Sequence, residues 1–321
     1  MPSEPRAALL SVYDRTGIEA LAERLLGEGL VLYATGGTRA YLRERGLAVA
    51  DVGELTGFPA LFDGRVKTLH PRIFGGILAD RANPAHRAEA EQHGVPAIAL
   101  VAVNLYPFEA TVARPDARLE EAIEQIDVGG VALIRAAAKN FAHVTVLVEP
   151  SQYALVLDGA AGDPGVRRAL ATRAFERTAE YDAAIARYLE AGLLASDLPG
   201  SLALTMPLGA RLRYGENPQS RAAFYLPHSE QLPEQLGGKD LSYNNLLDLD
   251  ATLRMLARAP IPALAGAPPP ERTLVRAAVV KHTVPCGVAE RAAAPAALAA
   301  ALEADPVSAY GGVVAVDELL D

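Results

Sequence analysis

Four cationic or titratable side chains, Arg65, Lys67, His70 and Arg72, crowd into "DGRVKTLHPRIFGG", residues 63–76. The chain around them is acidic, with a formal net charge of −9. A tight basic cluster in an acidic chain, set beside glycine and proline, faces a small anion or forms a solvated turn. Other short segments carry matching chemistry. "ATGGT" offers Thr35, Gly36, Gly37 and Thr38 at a turn into a helix, where free backbone amides and the helix dipole favour phosphate. "SVYDRTG" holds Ser11, Asp14 and Arg15, and "VNLYPF" holds Asn104 and Tyr106. "IDVGGVALIRAAAKN" supplies a carboxylate, Asp127, and an ammonium, Lys139. Lys67 is the candidate for holding a developing oxyanion, and Asp127 for moving a proton. Taken singly, "TGGT" reads equally well as plain turn geometry, "VNLYPF" reads better as a turn with a packed tyrosine, and "IDVGGVALIRAAAKN" reads also as a capped, amphipathic helix. Taken together, they supply phosphate donors (with Arg65 and Thr68), an oxyanion partner and a base.

These segments share a position relative to the expected strands. "AALLSV" (7–12), "LVLYAT" (30–35), "AIALVAVNL" (97–105) and "VTVLV" (144–148) read as buried strands. Helical patterns alternate with them, as in "TGIEALAERLLGEG", where Ile18, Leu21, Leu25 and Leu26 share a face. Such alternation predicts a mainly parallel α/β sheet with ligands at the carboxyl ends of its strands. The stretch "LEEAIEQIDVGGVALIRAAAKN" reads as helix broken at Gly129 and Gly130, and residues 164–195 as one or two long helices closing a first domain, 1–195. Residues 196–209 form a linker, and a second domain spans 210–321. There "LVRAAVV" reads as a strand, "KHTVPCG" as a loop, "ERAAAPAALAAALEAD" as a helix and "GGVVAV" as a strand. The Ala/Pro-rich "PIPALAGAPPPER" (260–272) reads as a surface loop.

Bulk properties exclude several classes. The 321 residues are half hydrophobic, enough for large cores. An acidic balance argues against nucleic acid or an anionic membrane as main partner. A single cysteine, Cys286, rules out an internal disulfide and a cysteine-based zinc site and suits a reducing cytoplasm. No secretory leader pattern and no apolar run of about 20 residues stands out. P-loop, dinucleotide-binding and metal-ligand spacings do not occur.

At the level of whole motifs, the chain resembles the bifunctional AICAR transformylase/IMP cyclohydrolase family. The resemblance rests on "ATGGT", "GFPALFDGRVKTLHPRIFGGILA", "VAVNLYPF" and "DVGGVALIRAAAKN", then "LRYGENPQ", "GKDLSYNNLLDLDA", "VVKHTVPCGVA" and "DPVSAYGG". It implies an N-terminal methylglyoxal-synthase-like, doubly wound parallel sheet that closes formyl-AICAR to IMP without metal or cofactor. An incomplete cytidine-deaminase-like α/β domain follows, the first part of a transformylase that uses 10-formyltetrahydrofolate as co-substrate to formylate AICAR. By the same resemblance, phosphate sits among Ser11, Arg15, Thr35, Gly36, Gly37, Thr38, Arg65 and Thr68. Lys67 polarises the formyl oxygen, and Asp127, helped by Tyr106 and Lys139, activates the attacking carboxamide nitrogen. Asn104 and Gly129 help bind the base. In the second domain Lys281 and His282 form the catalytic pair, and Arg213, Tyr214, Lys239, Ser242 and Tyr310 contact substrate. A cytoplasmic homodimer is implied.

The sequence departs from the family pattern at named positions. Tyr13 and Arg15 replace Ser and Lys, Phe74 replaces His, and Thr283 and Val284 replace Ala and Asn. The family's transformylase domain runs on beyond what is matched, so the expectation is a region inactive in formyl transfer by itself. A different class stays open: a regulatory or degenerate homologue that binds a phosphorylated ligand without turnover. Retention of Lys67, Asp127 and Lys139 favours the enzyme.

Overall fold

A computed structural model describes residues 6–191, 201–226, 232–257 and 274–318. The chain divides between Thr205 and Met206 into two compact units. The expected loop at 260–272 lies outside the described residues, as do the end of the long helix beyond residue 191 and the first part of the linker.

In the first unit, five strands form one parallel sheet in the order β3-β2-β1-β4-β5: β1 (Arg6–Val12), β2 (Val31–Ala34), β3 (Ala50–Asp51), β4 (Ala97–Asn104) and β5 (Thr145–Leu147). Continuous apolar runs make these strands because a parallel sheet is buried on both faces. Leu9, Leu10, Ile98 and Val101 are wholly buried. Among the described residues, ten α-helices accompany the sheet: α1 (Ile18–Gly27), α2 (Gly36–Glu44), α3 (Val52–Thr56), α4 (Pro71–Leu78), α5 (Pro84–His93), α6 (Phe108–Val112), α7 (Leu119–Glu124), α8 (Gly129–Lys139), α9 (Tyr153–Leu157) and α10 (Pro164–Ala191). The chain winds outward from β1 through β2 to β3, then returns to β4 on the other side. The crevice beyond the carboxyl ends of β1 and β4 is therefore the switch point where such sheets bind ligands.

The sequence pattern predicts a helix interrupted at Gly129 and Gly130, but these glycines do not interrupt one. The break falls at 125–128, and the two glycines open α8. The two-residue β3 and the polar helix α5 carry too little periodicity to mark them in the sequence, and α4, although Ile73 and Ile77 bury one face of it, spans only eight residues that include Pro71, Gly75 and Gly76.

The second unit has a two-stranded antiparallel ribbon, β6 (Leu208–Arg211) and β7 (Ala223–Tyr225). Helix α11 (Tyr243–Leu256) follows, then β8 (Val275–Lys281), β9 (Val284–Arg291), α12 (Ala294–Ala304) and β10 (Val313–Val316). These last strands form an antiparallel sheet, β10-β8-β9. "KHTVPCG" is thus mostly strand, not loop: β8 and β9 form a hairpin turning on His282 and Thr283. A two-residue turn suffices only for antiparallel partners. The core here is alanine-rich, with Ala277, Ala297 and Ala301 wholly buried. Gly287 admits the α12 backbone, because any Cβ there would overlap the Ala301 carbonyl.

Among the described residues, no helix is long and apolar enough to cross a membrane, and no group of three or more His, Cys, Asp or Glu is placed to hold a metal ion.

Candidate active site

The loop after β1 is clasped by the last residue of β4. The Asn104 Oδ1 accepts from the backbone N–H of Tyr13 (2.6 Å) and of Asp14 (2.9 Å), and its Nδ2 donates to the Asp14 carbonyl (2.8 Å). This carboxamide is engaged within the protein, where it shapes the loop after β1. Asp14 in turn takes the Thr16 N–H at 2.9 Å. The Tyr13 ring meets the Tyr106 ring edge-on, with centroids 6.0 Å apart. The bulky residue at position 13 is accommodated by this contact.

Beside the loop, "ATGGT" forms the start of α2, with Thr35 as its extended N-cap residue. The Ser11 and Thr35 hydroxyls are hydrogen-bonded at 3.0 Å. The Thr38 hydroxyl is bolted to β1: it accepts from the Val12 N–H (3.0 Å) and donates to the Val12 carbonyl (3.1 Å). Thr38 therefore offers an anion its backbone amide only. The unpaired amides of the first turn carry the attraction for negative charge. Arg15 lies over this turn, since a Cβ at Gly37 would fall 3.1 Å from its Nη2. Tyr41 steadies it: Arg15 Cζ is 5.3 Å from the ring centroid, and Arg45 Cζ is 3.5 Å from the same ring.

The basic cluster follows a stretch of left-handed backbone, Phe62, Asp63 and Gly64, with φ of 52°, 55° and 87°. Gly64 leaves room for Lys67, whose Cδ would lie 3.3 Å from any Cβ there. The Lys67 ammonium acts electrostatically on Asp127. Thr68 is buried, and its Oγ1 lies 2.7 Å from where a Gly129 side chain would begin. Gly129 is thus glycine to admit Thr68. His70 and Arg72 are structural: the His70 Nδ1 caps α4 by accepting the Arg72 N–H at 3.2 Å, and Arg72 donates to the Leu55 carbonyl at 3.4 Å. Arg65 is exposed and paired with Glu124 of α7.

Asp127 sits at the mouth of α8. Its Oδ1 takes the Gly130 N–H at 2.6 Å, and its own N–H donates to the Tyr181 hydroxyl at 2.8 Å. Burial pushes its carboxyl above the ordinary range, against the opposing pull of the Gly130 N–H and the Lys67 charge. Burial, reinforced by Asp127, pushes the Tyr106 phenol up as well. Lys67, Thr68, Tyr106, Asp127 and Gly129 thus gather at one place, and the Tyr106 ring meets Tyr13 of the loop that follows β1. Lys139 does not belong to this group. It ends α8, ten residues beyond Gly129, a rise of about 15 Å along the helix. The expected second ammonium stands exposed at the opposite end of the helix from Asp127.

In the second unit, Lys281 Nζ donates to the Tyr310 carbonyl at 2.9 Å, while the Tyr310 ring is exposed. His282 and Thr283 form the hairpin tip with φ of 55° and 63°, a conformation unfavourable for a β-branched residue. Asp248 of α11 holds this tip by accepting the Thr283 N–H at 2.7 Å. Ser242 is buried as the N-cap of α11, donating to Asn245 Oδ1 at 2.8 Å, so it positions the helix instead of facing solvent. Tyr214 bonds to Ser242 and lies under the Arg213 guanidinium, 4.9 Å from the ring centroid. Lys239 is exposed, and its carbonyl accepts from Gln235. Asp248 and Tyr181 escape sequence reasoning. Asp248 lies within "SYNNLLDLDA" without local distinction, and Tyr181 is one apolar position in a long helix.

Two family descriptions match this chain: "AICARFT/IMPCHase bienzyme" over residues 137–321 and "MGS-like domain" over residues 17–132. The chain belongs to the AICARFT/IMPCHase bienzyme family. Among its relatives, the "Bifunctional purine biosynthesis protein PurH" of Chloroflexus aurantiacus is 48% identical over 317 residues, covering 98% of this chain and 59% of the relative. The proteins of that name from Rhodopirellula baltica and Synechococcus sp. are 44% and 47% identical, again over 98% of this chain. This family member thus spans about 60% of the length of the curated relatives. A solved structure described as "Crystal structure of ForH" is similar with a TM-score of 0.50 and 39% identity, covering 57% of this chain and 98% of that one. The methylglyoxal-synthase-like architecture expected for the first unit agrees with the MGS-like match and the parallel sheet.

Proposed function

We propose that the first unit is an IMP cyclohydrolase that closes formyl-AICAR to IMP with loss of water. The observation that carries this reading is the gathering of Lys67, Tyr106 and a desolvated Asp127 beside the glycine turn. The nucleotide phosphate takes the amides at the start of α2, the Ser11 and Thr35 hydroxyls and Arg15. The carboxamide nitrogen attacks the formyl carbon, forming the new C–N bond. Asp127 takes the proton that this nitrogen sheds, a role suited to a carboxylate whose basicity is raised by burial. Lys67 holds the oxyanion as the formyl C=O becomes single. The second ring proton then departs as the protonated oxygen leaves as water, completing the aromatic ring. Tyr106, protonated at neutral pH, lines the reacting face.

The second unit is read as the first part of a formyltransferase, carrying Lys281, His282 and the Arg213–Tyr214 pair and inactive by itself, whose complete form draws on 10-formyltetrahydrofolate and AICAR. A cytoplasmic homodimer completes this reading.

The test is conversion of formyl-AICAR to IMP, followed spectrophotometrically, by the full chain and by Lys67→Ala. Turnover lost in the variant with IMP binding retained supports the reading. Absence of turnover in folded, IMP-binding wild type overturns it in favour of a binding-only protein.

A further inference from the structure

Helix α10 reaches back to the site from more than fifty residues away, and one of its side chains touches both loops that carry reacting groups. Tyr181 is wholly buried. Its hydroxyl donates to the Gln125 carbonyl at 2.6 Å and accepts the Asp127 N–H at 2.8 Å. Both bonds go to main chain in the stretch 125–128 between α7 and α8, whose other backbone ties are local: the Gln125 and Ile126 N–H groups donate back to the Ala122 and Ile123 carbonyls, and the Val128 carbonyl accepts from Ala132. The ring of the same tyrosine packs edge-on against Phe108, with centroids 6.1 Å apart. Phe108 is also wholly buried and lies two residues beyond Tyr106. A third tie runs alongside: Arg177, one turn earlier in α10, covers the Tyr181 ring at 5.9 Å and pairs with Glu109 at 3.2 Å.

We infer that Tyr181 is a positioning residue for ring closure, setting the spacing between Asp127 and Tyr106 by fastening the 125–127 backbone to the segment that begins α6. It touches no reacting atom. Its hydroxyl fixes where the Asp127 main chain sits, and its ring fixes where Phe108, and with it Tyr106, sits. The Asp127 charge already acts on the Tyr106 phenol in this arrangement, so a small slip of either loop alters the geometry at the attacking nitrogen. Burial pushes the Tyr181 phenol up to about 12, so the hydroxyl keeps its proton and its donor role at neutral pH.

The inference rests on the cyclohydrolase reading, and the experiment separates the two. In the full chain, Tyr181→Phe keeps the ring against Phe108 and removes both hydrogen bonds. Expected is a fall in kcat on the order of tenfold to a hundredfold, as for a misplaced catalytic group. KM for formyl-AICAR and IMP binding change by no more than about threefold, because the phosphate turn is untouched. Arg177→Lys, which loosens the cover of the ring but leaves the hydroxyl, gives a smaller fall and serves if Tyr181→Phe does not fold. Hydrogen exchange of both variants supplies a readout independent of turnover: the peptide containing residues 125–130 loses protection while β4 and β5 keep theirs. Wild-type kcat in the folded variants, with only a lowered melting temperature, overturns the inference and leaves Tyr181 as a core residue. If wild type itself has no turnover, the cyclohydrolase reading fails. Unchanged exchange at 125–130 then overturns the fastening role too.

Discussion

The Asp127 carboxylate folds back over Gly130 and takes its backbone N–H at 2.6 Å. This close approach needs a residue without a side chain, because a Cβ at position 130 would overlap the carboxylate oxygen. Gly130→Ala must therefore swing Asp127 out of place. The expected result is a fall in kcat on the order of a hundredfold with far less change in IMP affinity. Single-turnover kinetics with calorimetric IMP binding checks it, and an active Ala variant would remove Asp127 from the role of base.

A buried carboxylate whose folded pKa lies above its unfolded value binds protons more tightly in the native state. Its favourable contribution is present below the unfolded value of about 4 and is lost as pH rises through the folded one. At neutral pH the ionised Asp127 thus weighs against folding. Asp127→Asn keeps an oxygen for the Gly130 N–H and removes the buried charge. It is expected to abolish ring closure and raise the melting temperature at pH 7 by roughly 2 °C or more. The gain shrinks as pH approaches 4, and thermal scans at both pH values decide the sign.

Thr38 ties the start of α2 to the end of β1 through both polar groups of Val12. Thr38→Val leaves a buried donor and acceptor unpaired and should cost about 2 kcal/mol. Thr38→Ser keeps the hydroxyl and should cost less than half of that, with IMP binding unchanged. Urea unfolding of the three proteins provides the comparison.

The hairpin tip holds Thr283 at φ 63°. A two-residue turn of this kind favours glycine at its second position. Thr283→Gly keeps the N–H that Asp248 accepts and relieves the strain, so stability of the second unit should rise by about 1 kcal/mol. A lowered or unchanged urea midpoint would mean that the methyl and hydroxyl contacts outweigh the backbone cost.

Much of this arrangement is legible in short stretches of sequence, because the physics that makes it is local. Apolar runs such as "AALLSV" and "AIALVAVNL" mark buried parallel strands, and a glycine-threonine turn before a helix marks an anion cradle. Tyr106 directly follows β4, whereas Lys67 and Asp127 come to it across the intervening helix α3 and helices α6 and α7. Misreadings arise where range exceeds a turn or two. Arg135 and Lys139 share a helical face, yet position along the axis, not face, separates Lys139 from Asp127. Asn104, Thr38 and Ser242 have the side chains of ligand-binding residues. Their partners at Tyr13 and Asp14, at Val12 and at Asn245 engage those groups inside the fold.

By itself the amino-acid sequence determined the four longer strands of the first unit and their alternation with helices, the location of its switch-point crevice and the residue types that line it. These depend on side-chain periodicity, turn chemistry and the obligatory burial of a parallel sheet. Only the tertiary structure decided which polar groups are left to meet a ligand and which are consumed by the protein. It also decided that a tyrosine in α10 holds the Asp127 loop, and that the strands of the second unit run antiparallel. Those outcomes depend on which distant segments pack together, and a hydrogen bond between residues 127 and 181 leaves no mark on the local pattern of either.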